Sequence, residues 1–160
     1  MRKLKVYLDT SVISYLDQQD APEKMQETQQ LWEMIKLGHY EVYVSETTMQ
    51  EINECGSEKR NILYSYLAQV DYTLITVTPE IENLANKFLE EGILTKKSHD
   101  DCLHIAAAIV ADCDIITSWN FKHIVNAKTI RGVRIITAME MYRDISIYAP
   151  PSLLDYEEET

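Results

Sequence analysis

Short apolar runs, each stopped by a polar residue and followed by residues in helical spacing, most constrain what this 160-residue chain can fold into. Lys5–Leu8 is broken by Asp9-Thr10-Ser11, Glu41–Val44 by Ser45, and Asp114–Thr117 by Ser118-Trp119-Asn120. Thr73–Val77 leads into Pro79, a natural first residue of a helix. Helical spacing follows over Met25–Leu37, Ser45–Cys55, Glu58–Val70, Pro79–Glu91 and Ser98–Val110, with Gly38 and Gly92 as stops. Such alternation predicts a three-layer α/β/α domain around a mostly parallel sheet of about five strands. The fifth strand is expected at Val133–Ile136, with Thr137 capping a last helix through Arg143. Phe121–Val125 is expected as a helical turn. One domain over residues 1–145 and an acidic tail over 146–160 complete the expectation, because Pro150-Pro151 ends regular structure.

Composition narrows the function more than the fold. The formal net charge of −11 argues against a protein that coats nucleic acid through a broad basic surface. It leaves open a site that reaches a phosphodiester through a bound cation. Cys55, Cys102 and Cys113 are odd in number and form no C-x-x-C pair, which reads as reduced thiols of a cytoplasmic protein rather than a zinc site. No apolar run is long enough for a membrane span, and Asp9 and Ser11 interrupt any leader-like segment after Met1–Lys5.

The chemistry-bearing residues are acids. Asp9 falls at the carboxyl end of the first strand, the edge where open α/β sheets bind ligands. On the Ser45–Cys55 helix, Thr48, Glu51, Ile52 and Cys55 share the inward stripe, whereas Glu46 and Glu54 lie off it. On the Ser98–Val110 helix, Asp101 shares a face with His104, Ile105 and Ala108, while Asp100 points about a quarter-turn away. Asp100 and Asp101 also read as ordinary first-turn acids behind a Ser98 cap, with Asp101 closing a capping box. If the first and fourth strands are neighbours, Asp9, Glu51, Asp101 and Asn120 converge on one sheet edge. Three ionised carboxylates there repel one another, and a hard cation such as Mg²⁺ or Mn²⁺ removes that penalty. Thr10 or Ser11 would cap the short helix after Asp9, or Asp9 itself would cap that turn rather than serve a site. His104 reads as a hydrogen-bonded core histidine or as a tuner of Asp101. Trp119 either stacks on a base or wedges under the following loop. Lys96, Lys97, Lys122 and His123 either meet a backbone phosphate or are scattered surface charges.

Leu8-Asp9-Thr10-Ser11-Val12, Ser45 through Glu51-Ile52, Asp101–Ala108 and Thr117-Ser118-Trp119-Asn120-Phe121 together resemble the PIN-domain nucleases, which include VapC-type toxins of bacterial toxin–antitoxin pairs. The resemblance spans about residues 5 to 137. It implies that Asp9, Glu51 and Asp101 are the acidic metal-binding residues. Asn120 stands where many members carry a fourth acid, and Ser11 would contact the substrate phosphate or a metal-bound water. The implied activity is metal-dependent hydrolysis of RNA, with Mg²⁺ or Mn²⁺ as cofactor, an antitoxin protein as a partner and a homodimer as the assembly. The alternative is a PIN-like module that binds RNA or protein without cutting.

Overall fold

A computed structural model describes residues 2–155. Five strands form one sheet: β1 (Leu4–Leu8), β2 (Tyr40–Ser45), β3 (Tyr72–Ile75), β4 (Ile115–Thr117) and β5 (Ser146–Tyr148), in the order β3-β2-β1-β4-β5. Every pairing is parallel. The first and fourth strands are neighbours, with Val6 opposite Ile115 and Leu8 opposite Thr117. Among the described residues seven α-helices cover the sheet: α1 (Thr10–Ser14), α2 (Pro22–Lys36), α3 (Glu46–Asn53), α4 (Ser57–Leu67), α5 (Pro79–Glu90), α6 (His99–Val110) and α7 (Ala127–Met139).

The period-two alternation of the strands assigns the layers. Tyr7, Tyr43 and Ile116 face a core built from α5, α6 and α7 through Ile81, Leu84, Phe88, Ile105, Val133 and Ile136. Val6, Leu8, Val42, Val44 and Ile115 face the opposite core, with Val12 and Ile13 of α1, Leu31 and Trp32 of α2, Ile52 of α3 and Leu63 of α4. The small-residue body of α6, Ala106-Ala107-Ala108, is fully buried, which lets that helix lie close to the sheet. Gly38 and Gly92 have φ of 84° and 69°, the left-handed conformation that ends α2 and α5 where glycine meets no Cβ penalty.

Three expectations are corrected. Val133–Ile136 is not a strand but the middle of α7, because Thr129, Val133, Ile136 and Thr137 recur at helical spacing and are the buried face. Asn126 caps that helix by accepting from the Thr129 N–H at 2.9 Å, and Thr137 lies in its last turn rather than starting a new one. The true fifth strand, Ser146–Tyr148, falls in the segment expected as a tail. It is followed by a 3₁₀ turn at Pro150–Leu153 whose Leu153 carbonyl accepts from Tyr40 Oη at 2.7 Å. Of the expected tail, Tyr156–Thr160 lie outside the described residues. The third correction concerns caps. Of the alternatives for α1, Asp9 is the cap and Thr10 and Ser11 are not, and Ser98 makes no side-chain cap bond on α6, so the capping box with Asp101 does not form.

The amino-terminal side of the sheet is tied by one acid. Asp114 accepts from Arg2 through both oxygens at 2.7 Å, from the Lys5 N–H at 2.8 Å, and from Arg143 at 2.8 Å. The hydrogen bonds from Arg2 hold its carboxyl well below the ordinary 3.8; burial pushes the other way and is outweighed by the further help of Lys5 and Arg143. A depressed folded pKa adds stability above the unfolded value and loses it as pH falls towards the folded one. The melting-temperature gap between wild type and Asp114→Asn is therefore expected to be full near neutrality and to shrink steadily as pH drops below 3.8. A gap that stays constant down to about pH 2 would contradict this account.

Candidate active site

Because Leu8 and Thr117 are register partners, the residues that follow them, Asp9 and Ser118, emerge side by side at the carboxyl edge of the sheet. The Asp9 side chain is clamped there. Ser11 Oγ donates to its Oδ1 at 2.6 Å, the Val12 N–H to the same oxygen at 3.3 Å, and Ser118 Oγ to Oδ2 at 2.6 Å. Each serine is itself held by the β4–α7 loop. The Trp119 N–H donates to Ser11 Oγ, and the Asn120 N–H to Ser118 Oγ, both at 2.9 Å. Burial nonetheless pushes the Asp9 carboxyl above its ordinary range, against the charge of His104 and the serine bonds.

Glu51 comes from α3 on its inward stripe. Its Oε1 accepts from Thr10 Oγ1 at 2.7 Å and from His104 Nε2 at 2.5 Å, so neither bond engages its second oxygen. His104, 1% exposed on α6, carries Nδ1 2.6 Å from Tyr7 Oη, which lies 2.7 Å from Ser45 Oγ. Burial alone would keep this imidazole neutral. Tyr7, Glu51 and Asp9 outweigh it and raise the His104 pKa well above the ordinary value. An imidazolium donates at both nitrogens. The chain is then His104 to Glu51 on one side, and His104 to Tyr7 to Ser45 on the other. Glu51 in turn is held below its ordinary range: burial raises it, but the bond and charge of His104 and the Thr10 hydroxyl prevail.

Asp101 is the least supported of the three acids. Among the described residues its one hydrogen bond from a side chain is from the amide of Asn120, at 3.3 Å. Burial pushes its carboxyl up to about 6; His104 and His123 oppose this, and the negative charges of Asp9 and Glu51 add to it. Asp100 is exposed, so the helix-face separation of the two acids holds. Asn120 turns its amide nitrogen to Asp101 while its carbonyl oxygen accepts from the His123 N–H at 2.9 Å. The Asn120 amide oxygen is thus engaged within its own loop.

The remaining residues separate clearly. Trp119 is 6% exposed, and its indole N–H donates to Thr28 Oγ1 at 2.8 Å, so it is the wedge under the loop and not an open stacking surface. Lys96, Lys97 and Lys122 are exposed near the ends of the elements that carry Asp101 and Asn120. Sequence reasoning missed Thr10 and Ser118 as partners of the acids, and Tyr7 as the partner of His104. Tyr7 looked like one more apolar strand residue, and only the observation that its hydroxyl must find a partner when buried could have flagged it.

Among the described residues no three His, Cys, Asp or Glu side chains are gathered closely enough to hold a metal ion as they stand. The donor chemistry still suits a hard cation. Asp9, Glu51 and Asp101 offer carboxylate oxygens that act on one another's charge, and no Lys or Arg of the described residues hydrogen-bonds or ion-pairs with any of them. A cleft of about 450 Å³ lies at the opposite sheet edge, lined by Lys3, Tyr40, Asp71 and Thr73, and gathers no comparable set of acids.

A parallel α/β domain with a buried acid at the carboxyl end of its first strand, and two half-buried acids brought beside it by helices, has the layout of open sheets that bind ligands at that edge. The family model for the PIN domain matches residues 5–122, and the chain belongs to the PIN-domain family, whose members are generally nucleases. Among solved structures, VapBC2 from Rickettsia felis bound to a DNA fragment from their promoter is similar in fold. Its TM-score is 0.58 at 11% sequence identity, over 91% of this chain and 98% of that one. No curated protein matches the chain.

Tyr7→Phe removes the oxygen that His104 Nδ1 and Ser45 Oγ share while keeping the ring in the core. It is expected to destabilise the fold by about 1–3 kcal/mol, read from urea unfolding midpoints. A change within about 0.5 kcal/mol would show that these buried groups find other partners.

Proposed function

We propose that this PIN domain is a metal-dependent endoribonuclease. The observation that carries the reading is the trio of Asp9, Glu51 and Asp101 at one sheet edge, with Asp101 pushed up to about 6 by burial and by the charge of its two acidic neighbours. Such a set is costly to maintain unless a cation is held by it. Asp9, Glu51 and Asp101 would hold Mg²⁺ or Mn²⁺, which supplies a bound water of lowered pKa and neutralises charge on the phosphodiester oxygens. The chain's own part is positioning. Ser11 and Ser118 fix Asp9, Thr10 and His104 fix one oxygen of Glu51, and the Asn120 amide orients Asp101. Lys96, Lys97 and Lys122 meet the RNA backbone. Attack by water would leave a 5′-phosphate and a 3′-hydroxyl, as the resemblance to VapC-type nucleases implies.

We also infer an antitoxin protein as partner and a homodimer, in a cytoplasmic setting. The resemblance to VapC-type toxins and the likeness to VapBC2 support the first. No helix among the described residues is long and apolar enough to cross a membrane. A second reading, a PIN module that binds RNA or protein without cutting, is favoured by Asn120, which offers Asp101 an N–H where a fourth acid would offer an oxygen.

Purified protein is expected to cut RNA in Mg²⁺ or Mn²⁺ and to stop in EDTA. Asp9→Asn, prepared in parallel, should lose on the order of 10³-fold or more in rate. Equal cutting by both preparations would assign the activity to a contaminant. Asn120→Asp replaces the N–H facing Asp101 by a like charge, so in EDTA its melting temperature should fall by about 2–4 °C. Added Mn²⁺ should then raise the variant's melting temperature by more than that of the wild type. An equal response in both would place residue 120 outside the metal's reach.

A further inference from the structure

Beside the acidic edge lies a cluster that the proposed chemistry does not use. Lys24, in the first turn of α2, carries its ammonium 5.8 Å from the centroid of Tyr15, 5.5 Å from that of Trp119 and 5.4 Å from that of Phe121. All three distances lie within the range in which a ring quadrupole attracts a cation. The rings also hold one another. Tyr15 and Trp119 lie 5.8 Å apart at 33°, and Trp119 and Phe121 6.2 Å apart at 69°. Trp119 is anchored by Thr28, so the cluster has a rigid base. Its outer member is open: Phe121 is 47% exposed.

Two further features point to an occupant. Among the described residues Lys24, like Lys3, Lys5, Lys96, Lys97, Lys122 and Lys128, has no carboxylate within ion-pair distance, but it is the lysine held over three rings. The cluster is also continuous with the acids. Phe121 follows Asn120 directly, and the Trp119 N–H donates to the serine that clamps Asp9. An exposed aromatic face beside a fixed, unpaired ammonium matches the two parts of a nucleotide, a flat base and an anionic phosphate. Polypeptide offers no such regular pairing of flat ring and anion.

We propose that Phe121 and Lys24 form a one-nucleotide subsite of single-stranded RNA, the base stacking on the Phe121 ring and a flanking phosphate meeting Lys24. This deepens the ribonuclease reading and rests on it for the identity of the substrate. The base must be unpaired, because a base within a duplex has no free face to offer. The subsite is sequence-tolerant, since every base has a π-face. Trp119 acts as a positioning residue that holds both partners, which explains why an indole is buried one residue from Asn120.

The test measures binding apart from cutting. Fluorescein-labelled oligouridylate and oligoadenylate are titrated with full-length protein in EDTA at low salt, and the same oligomers are then incubated with Mn²⁺ to follow cleavage. Phe121→Ala and Phe121→Leu should each weaken binding by on the order of tenfold, whereas Phe121→Trp keeps it. A ribose-phosphate oligomer without bases should bind wild type as weakly as oligouridylate binds Phe121→Ala. Lys24→Met should weaken binding and flatten the slope of log Kd against log salt by about 0.7, the share of one phosphate contact on a single strand. Lys24→Arg should restore that slope. Melting temperatures check that each variant is folded. Wild-type affinity in Phe121→Leu, or no loss for the baseless oligomer, overturns stacking. Unchanged affinity in both Phe121→Ala and Lys24→Met overturns the subsite and leaves the patch to a protein partner, even if Mn²⁺-dependent cleavage persists. Phe121-dependent binding without any cleavage keeps the subsite and rejects the nuclease.

Discussion

Asp9 is 3% exposed, and the three bonds that make its burial tolerable come from two distant places in the chain. Val12 and Ser11 lie just after it in α1, and Ser118 lies more than a hundred residues later. What brings these together is the pairing of β4 against β1 with Leu8 opposite Thr117. A slip of that register by one residue would carry Ser118 away and leave a buried acid short of a donor. The topology of the middle of the sheet and the chemistry at its edge are thus a single requirement.

The other two acids are stabilised differently, and the differences are graded. Glu51 is answered by a charge, His104, which is itself fixed through Tyr7 from the central strand. Asp101 is answered by one long amide bond. Their carboxyls respond accordingly, Glu51 held below the ordinary range and Asp101 pushed up to about 6. Of these two, Asp101 therefore has more to gain from a cation than Glu51, which is already provided for. The site is polarised between a satisfied side at α3 and an unsatisfied side at α6.

Much of this was legible in the sequence because the signals were local and periodic. Strands β1, β2 and β4, the inward stripes of α3 and α6, and the exposure of Asp100 follow from spacing alone. The error at Val133–Ile136 has a physical cause. A run of β-branched residues imitates a strand, and Gly132 before it imitates a break, yet that glycine sits inside α7 because a Cβ there would meet Ile93 at 2.6 Å. Close helix packing, a tertiary fact, overrode local propensity. The caps failed similarly. Ser98 faces the interior with no partner among the described residues, whereas Asp9 doubles as a cap and a site residue. Partners such as Ser118 and Tyr7 were invisible because a hydroxyl carries no periodicity, and its role exists only once the strands are paired.

The fifth strand bears on where this domain physically ends. The family match stops at residue 122, yet the Ser118 N–H donates to the Tyr148 carbonyl at 3.1 Å, across the β4–β5 seam. The residue that grips one oxygen of Asp9 is therefore itself anchored by a strand lying beyond the matched region. A fragment trimmed to the match would expose the flank of β4 as an unpaired edge, open to pairing with another chain. It would also free the loop from which Ser118, Trp119 and Asn120 act. For this molecule, the smallest piece that preserves its chemistry is set by the sheet's last hydrogen-bonded strand and extends past the outline of its family signature.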